Sequence, residues 1–287
     1  MKTAWRIVLR ICIATLIVVA VIVLTQDIQI FPGAAEGLLL STKRDPATVP
    51  PGAESRFVKT SDGENLEVWY LPAKVRNVLA SDGKELAAIV FHGNAGTVES
   101  FYSYQQWFQA LGISSFGFDY RGYGKSSGWP SEEGLYRDGE AVWQFAQQKT
   151  GLGPEKFVFL GISIGTGLAA RAARDHPPAA LLLLAAYTSM PDVVRSKPYI
   201  RFLAPLLWYH LPTAEYLKEL RATCVVAAHG KRDDTIPFSH LAGIKAASSD
   251  SSRFAEIVSD RAGHNDLFYL EKPRLERELG LCLAGKS

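Results

Sequence analysis

The amino-acid sequence predicts an α/β fold with a mostly parallel sheet, preceded by one N-terminal transmembrane helix. Three observations carry that prediction. Short apolar runs alternate with segments of helical periodicity from residue 86 onward, the pattern of strands joined by crossover helices. Several of those runs lack any polar alternation, as strands buried on both faces require. A longer apolar stretch near the N-terminus reaches the length needed to cross a bilayer. The 287 residues are ample for a full core, and 47% hydrophobic with 21% charged residues excludes a disordered chain.

Lys2, Arg6 and Arg10 precede an apolar run from Ile11 to Leu24 that only Thr15 interrupts. With Trp5 and residues 7–9 it reaches about the 20 residues of a spanning helix. It has no polar face, which argues against a globular helix. The next cation after Arg10 is Lys43, so the positive-inside rule puts the N-terminus in the cytoplasm and the remainder outside. A cleaved signal peptide is the rival. Its small-residue site is best matched by Gly33-Ala34-Ala35, which lies late, and cleavage there would give a secreted protein. The anchor is the preferred reading. The chain then divides into an anchor over 1–26, a connector over 27–55 rich in proline, and one domain over 56–287.

Within that domain, 56–60 and 66–71 read as strands joined by the turn Asp62-Gly63. A second Asp-Gly turn lies at Asp82-Gly83. Residues 86–91 form a buried strand, 98–111 a helix, 113–118 a strand and 132–148 a helix. Strand 157–160 runs directly into a helix that ends near Arg174, and 179–186 repeats the strand signal. Residues 189–220 break the rhythm with Pro198, Pro205, Trp208 and Pro212 and read as a short cap. Strand 224–228, helix 239–247, strand 254–258 and helix 265–279 complete the order.

Lys and Arg number 31 against 29 Asp and Glu, with no basic stripe, so no nucleic-acid partner is expected. Cys12, Cys224 and Cys282 make no CxxC and no disulfide framework; Cys224 reads as a buried thiol. No metal or cofactor motif is present. The run Gly122-Tyr123-Gly124-Lys125-Ser126 resembles part of a phosphate loop, but Asp119 occupies the position where the first glycine is needed.

The sharpest motif is Gly161-Ile162-Ser163-Ile164-Gly165, placed where a strand ends and a helix begins. A serine in so tight a turn needs glycine two residues to either side, and the turn lifts its hydroxyl to the C-terminal edge of the sheet. The bland reading is a glycine turn with Ser163 as a helix cap. A serine nucleophile needs a base. His264, in the loop between the last strand and the last helix, is the candidate; His92 and His229 also end strands. The acid that orients the base should follow another strand, and Asp233 and Asp234 both follow 224–228. Asp233 is preferred, which gives the order Ser163, Asp233, His264. Backbone N–H groups of Ile164 and of Asn94, in His92-Gly93-Asn94-Ala95-Gly96, are the candidate oxyanion donors.

Together these residues, with the loop Asp119-Tyr120-Arg121-Gly122-Tyr123-Gly124-Lys125-Ser126, resemble the α/β-hydrolase superfamily over residues 55–280. The anchor with Gln29-Ile30-Phe31-Pro32 and Trp69-Tyr70-Leu71-Pro72 is similar to a small membrane-anchored branch that includes esterases, lysophospholipase-like proteins and protein depalmitoylases. The resemblance implies an α/β-hydrolase fold with a sheet of about eight strands, helices on both faces, and a Ser-His-Asp triad. The stretch 74–85 departs from the pattern as an enlarged hairpin. The expected function is hydrolysis of a carboxylic ester or thioester, on a small-molecule or lipid-like acyl substrate, through an acyl-enzyme on Ser163. The cap over 199–211 is read either as an acyl-pocket wall or as packing against the sheet. Two other functions fit the same sequence: a catalytically silent binding module at the membrane, and a serine peptidase.

Overall fold

The computed structural model describes residues 2–39, 49–79, 85–221, 223–248 and 254–285. Its strands are β1 (Glu54–Lys59), β2 (Asn65–Leu71), β3 (Ala87–Phe91), β4 (Ser114–Phe118), β5 (Phe157–Ile162), β6 (Ala180–Leu184), β7 (Cys224–Gly230) and β8 (Phe254–Ser259). They form one sheet in the order β1-β2-β4-β3-β5-β6-β7-β8. β3 to β8 are parallel, and β2 runs antiparallel to both of its neighbours. β3 to β7 are buried at every position, which explains their unbroken apolar or small-residue character.

The helices are α1 (Lys2–Leu24), α2 (Gln26–Ile30), α3 (Pro32–Leu39), α4 (Tyr102–Ala110), α5 (Glu132–Thr150), α6 (Gly165–Asp175), α7 (Met190–Arg195), α8 (Thr213–Glu219), α9 (His240–Ala247) and α10 (Leu267–Leu283). α5, α6, α8 and α9 cover one sheet face, where Ile89 and Phe91 point. α4 and α10 cover the other, where Ala88 and Val90 point. The two-residue alternation of β3 thus feeds two separate cores. The α/β-hydrolase architecture is the one expected, with boundaries shifted by a few residues. α4 starts at Tyr102, four residues late, because 92–101 form a loop at the sheet edge.

α1 is long and apolar enough to cross a membrane: Thr3–Leu24 has a mean hydropathy of 3.1 over its most apolar window, none of which is buried. The stretch after it differs from the loose connector that its prolines predict. Gln26–Ile30 and Pro32–Leu39 are helical, and Phe31 is fully buried in the main core. Phe31 meets the Tyr209 ring edge-on at 5.0 Å, and the Asp27 carboxylate accepts from Trp129 Nε1 and Tyr209 Oη at 2.9 and 2.8 Å. Proline marks a helix start here rather than a break, since Pro32 is the first residue of α3. Of the hairpin expected over 74–85, residues 80–84 lie outside the described residues, and 74–79 contain no strand.

The cysteine reading needs correction. Cys224 is not a buried thiol: it forms a disulfide with Cys282, 58 residues away. The pairing depends on α10 returning to the start of β7, which no local spacing announces. Closing a loop of this length constrains the unfolded chain by about 4 kcal/mol. Cys282→Ser is therefore expected to lower the unfolding free energy by about that amount, and reductant to do the same to the wild type alone. Urea titration of both proteins with and without dithiothreitol checks this; a variant as stable as the oxidised wild type would contradict it.

Candidate active site

The strand order turns around β3, which has β4 on one side and β5 on the other. A crevice therefore opens beyond the carboxyl ends of β3 and β5, where open α/β sheets take ligands. The GxSxG turn and the His92–Gly96 loop leave the sheet at this point.

Ser163 has φ 53°, a left-handed conformation that costs a non-glycine residue energy. The turn is held by Ser163 N donating to the Leu184 carbonyl (2.9 Å), and by Thr166 donating from its N–H and Oγ1 to the Ser163 carbonyl (2.9 and 2.7 Å). Both flanking glycines are sterically required. A Cβ on Gly161 would lie 2.6 Å from Thr166 Cα, and one on Gly165 would run into the Phe91 carbonyl oxygen. β5 therefore passes into α6 with its serine raised toward the crevice.

The structure brings Ser163, His264 and Asp233 into one hydrogen-bonded line. Ser163 Oγ lies 2.9 Å from His264 Nε2, and His264 Nδ1 lies 2.8 Å from Asp233 Oδ2. The carboxylate can only accept, so Nδ1 carries the proton and Nε2 presents its lone pair to the serine. The Asp233 side chain is fully buried, whereas Asp234 is exposed; the two adjacent acids are separated by the loop's geometry. Burial pushes the Asp233 carboxyl up. Hydrogen bonds from His229, His264 and the Ile236 N–H outweigh that and hold it well below the usual carboxylate range. Its Oδ1 accepts from Thr235 N and Ile236 N at 2.9 and 2.8 Å. The loops that carry the acid and the base are knitted by backbone. Arg232 N donates to Ala262 O (3.1 Å) and Lys231 N to Ser259 O (2.8 Å), while a Cβ on Gly230 would collide with Ala262.

Of the two expected oxyanion donors, Asn94 lines the cleft over Ser163 and Ile164 follows Ser163 directly in the turn. Neither the Asn94 nor the Ile164 N–H is spent on a protein acceptor among the described hydrogen bonds. His92 is not part of this line. Its Nδ1 donates to the Gly93 carbonyl at 2.7 Å. In a trans peptide the C=O and N–H point in opposite directions, so this bond turns the Asn94 N–H away from His92. Tyr123 Oη donates to the Asn94 carbonyl and Tyr120 Oη to the His92 carbonyl, both at 2.9 Å. The loop that resembles a phosphate loop is thus a brace for the His92–Gly96 segment. Its Arg121 joins Asp138 and Asp62 through hydrogen bonds of 2.8–3.1 Å.

The cleft over Ser163 has a volume of about 200 Å³. Its walls are Phe101 and Tyr104 from the α4 side, and Leu267, Phe268 and Tyr269 from α10. None of the cap residues 199–211 lines it, so the cap packs elsewhere. Sequence reasoning missed the aromatic walls. Their only signal is the pair of clusters Phe101-Tyr102-Ser103-Tyr104 and Leu267-Phe268-Tyr269-Leu270, which become neighbours only when α4 and α10 share a sheet face.

The family model described as alpha/beta hydrolase fold matches residues 89–209, from within β3 into the cap. The Mycobacterium tuberculosis protein Rv2307c is 33% identical over 221 residues, covering 77% of this chain and 75% of its own. The chain belongs to the α/β-hydrolase family. The human alpha/beta hydrolase domain-containing protein 17B is 28% identical, over 75% of this chain and 70% of its own. Among solved structures, an α/β hydrolase from Vibrio vulnificus has a TM-score of 0.68 at 18% identity, covering 88% and 92% of the two chains. The Pyrococcus furiosus esterase Pf2001 has a TM-score of 0.62 at 16% identity, covering 81% and 90%. Family and fold together support a hydrolase.

Burial lowers the His92 pKa to about 4 against an ordinary 6.5, with the Gly93 carbonyl opposing part of that. The unfolded chain therefore takes up this proton first, and the associated stability is lost as pH falls from about 6.5 to about 4. The full shift corresponds to about 3 kcal/mol. His92→Asn is expected to flatten that slope, read by urea unfolding across this window; equal slopes would remove His92 as its source.

Proposed function

We propose that this protein is a membrane-anchored serine hydrolase that cleaves carboxylic ester or thioester bonds. The observation that carries the reading is the line Ser163 Oγ–His264 Nε2–Asp233, with separations of 2.9 and 2.8 Å. Ser163 attacks the acyl carbon while His264 Nε2 takes its proton, and Asp233 stabilises the imidazolium that forms. The oxyanion is held by the Asn94 and Ile164 N–H groups, beside the N-terminus of α6. Collapse breaks the bond to the leaving oxygen or sulfur, which receives the proton from His264. Water then repeats the sequence on the acyl-serine and releases the acid.

The cleft supports a short acyl group. At about 200 Å³ it lies below the roughly 300–1,000 Å³ of sites for drug-sized ligands. Tyr104 and Phe268 meet at 4.3 Å between ring centroids, and Ser103 Oγ lies 3.3 Å from Tyr269 Oη across the two helices. A long chain meets this aromatic wall.

The anchor reading gains support from the packing of residues 26–31. Cleavage at Gly33-Ala34-Ala35 would remove Phe31 from the core and Asp27 from Trp129 and Tyr209. The extracytoplasmic placement gains support from the Cys224–Cys282 disulfide, since such bonds persist in oxidising compartments. The domain division follows, with the anchor ending near residue 26 and the segment behind it belonging to the folded unit.

Ser163→Ala is expected to abolish labelling by a fluorophosphonate probe, and Asp233→Asn to lower kcat by about 10⁴ with the fold intact. Undiminished labelling of the alanine variant would defeat the assignment. Among p-nitrophenyl esters, kcat/KM is expected to peak at short acyl chains, and Phe268→Ala to move the peak toward longer ones. A wild-type preference for long chains would refute the reading of the cleft.

A further inference from the structure

The cap presents an apolar surface that the catalytic cleft does not use. Outside α1, twelve large hydrophobic residues are exposed among the described residues, and five of them fall within 199–208: Tyr199, Ile200, Phe202, Leu206 and Trp208. Tyr199 is 91% exposed and Phe202 63%. Monomeric soluble proteins rarely gather large apolar side chains this way.

The position of this patch relative to α1 identifies what covers it. Gln26 follows the end of the span by two residues, about 3 Å of helix rise. Its side chain holds the cap directly: Nε2 donates to the Leu206 carbonyl, and Oε1 accepts from Trp208 N, each at 2.9 Å. Ile22 and Val23, in the last turns of α1, share an apolar cleft of about 90 Å³ with Ile200, Leu203 and Leu207. The cap therefore lies beside the end of the span, at the level where hydrocarbon gives way to headgroups. Its chemistry suits that level. Tyr199 and Trp208 are the residue types that concentrate at membrane interfaces. Arg195, Lys197 and Arg201 flank Tyr199 in sequence, Arg195 paired with Asp192 and Lys197 donating to the Asp234 carbonyl, and no acidic residue occurs between Asp192 and Glu215. That sign of charge complements lipid phosphates.

We propose that the cap segment 199–208 is a second membrane contact, which seats its apolar side chains in the lipid headgroup layer beside the anchor and fixes the domain's orientation on the bilayer. The proposal rests on α1 being a retained anchor. It is separate from the chemistry assigned to Ser163.

The test uses the full chain with Cys12→Ser, reconstituted in phosphatidylcholine–phosphatidylglycerol vesicles. With the Cys224–Cys282 disulfide left oxidised, a single free cysteine carrying a bimane fluorophore is placed at Phe202→Cys, or at Glu155→Cys next to the opposite end of β5 as a control. Both sites are exposed, so each variant should unfold at the wild-type Tm. The expected result is loss of fluorescence at 202 with doxyl-labelled lipid and protection there from aqueous iodide, with the reverse at 155. Quenching by iodide at 202 in a chain that resists carbonate extraction would overturn the cap contact and leave the anchor standing. Protection from both quenchers would mean that protein covers the patch, and would also overturn it. Release of the chain by carbonate would remove the anchor reading and this proposal together.

Discussion

The close approach of β5, α6 and the end of β3 around Ser163 is the constraint from which the site follows. Backbone packs against backbone there, so Gly161 and Gly165 have no room for a Cβ. The serine between them is driven to φ 53°. Ala185, at the end of the neighbouring β6, is also left-handed at φ 52° and lines the same cleft. Strain of this kind persists only where its surroundings over-determine it. Here the buried sheet on both sides does so, through the Ser163 and Ala185 N–H groups, which donate to carbonyls of β6 and β7. The strain and the placement of Ser163 at the cleft have one origin.

The other two members of the line reach Ser163 through a closed piece of chain. Asp233 and His264 both lie between Cys224 and Cys282, so the disulfide bounds the loop that carries acid and base. Within that loop the backbone bonds from Lys231 and Arg232 set the two residues side by side. A buried carboxylate without partners would be neutral at physiological pH. Asp233 stays ionised because it accepts two backbone N–H groups and the His264 proton, with His229 Nε2 3.5 Å away. That charge fixes which imidazole nitrogen faces the serine. Geometry and tautomer are consequences of one hydrogen-bond set.

How much of this was legible in the sequence depends on the range of the interactions. Ser163, His264, Asp233 and the His92 loop sit at strand ends, and strand ends are marked by local patterns: an apolar run that stops at glycine. The central strands were legible for the same reason, since burial on both faces leaves a signature within five residues. The disulfide was not, because its partners are 58 residues apart and meet only through the packing of α10. The aromatic walls depend on α4 and α10 being neighbours, and the docking of Gln26 on Leu206 spans 180 residues. Proline content misled at Pro32, because proline suits the first position of a helix as well as a break. The bond from His92 to the Gly93 carbonyl is likewise invisible in sequence, since it depends on the fold of the loop after β3.

The junction between span and domain carries the last step of the argument. A flexible tether would leave the cleft free to face any direction relative to the bilayer. This junction is packed: the Phe31 ring is fully buried, and Asp27 closes hydrogen bonds to two aromatic residues of separate loops. Removing a buried phenylalanine typically costs 3–5 kcal/mol, roughly a third or more of a domain's net stability. The segment that follows α1 is thus part of the core, and cleavage at 33–35 would destabilise the domain. Charge asymmetry about α1 acts during insertion, whereas a disulfide reports the redox state met afterwards. On the proposed reading of α1 as an anchor, these two independent lines of physics favour the same side of the membrane, and the packed junction ties the domain to α1.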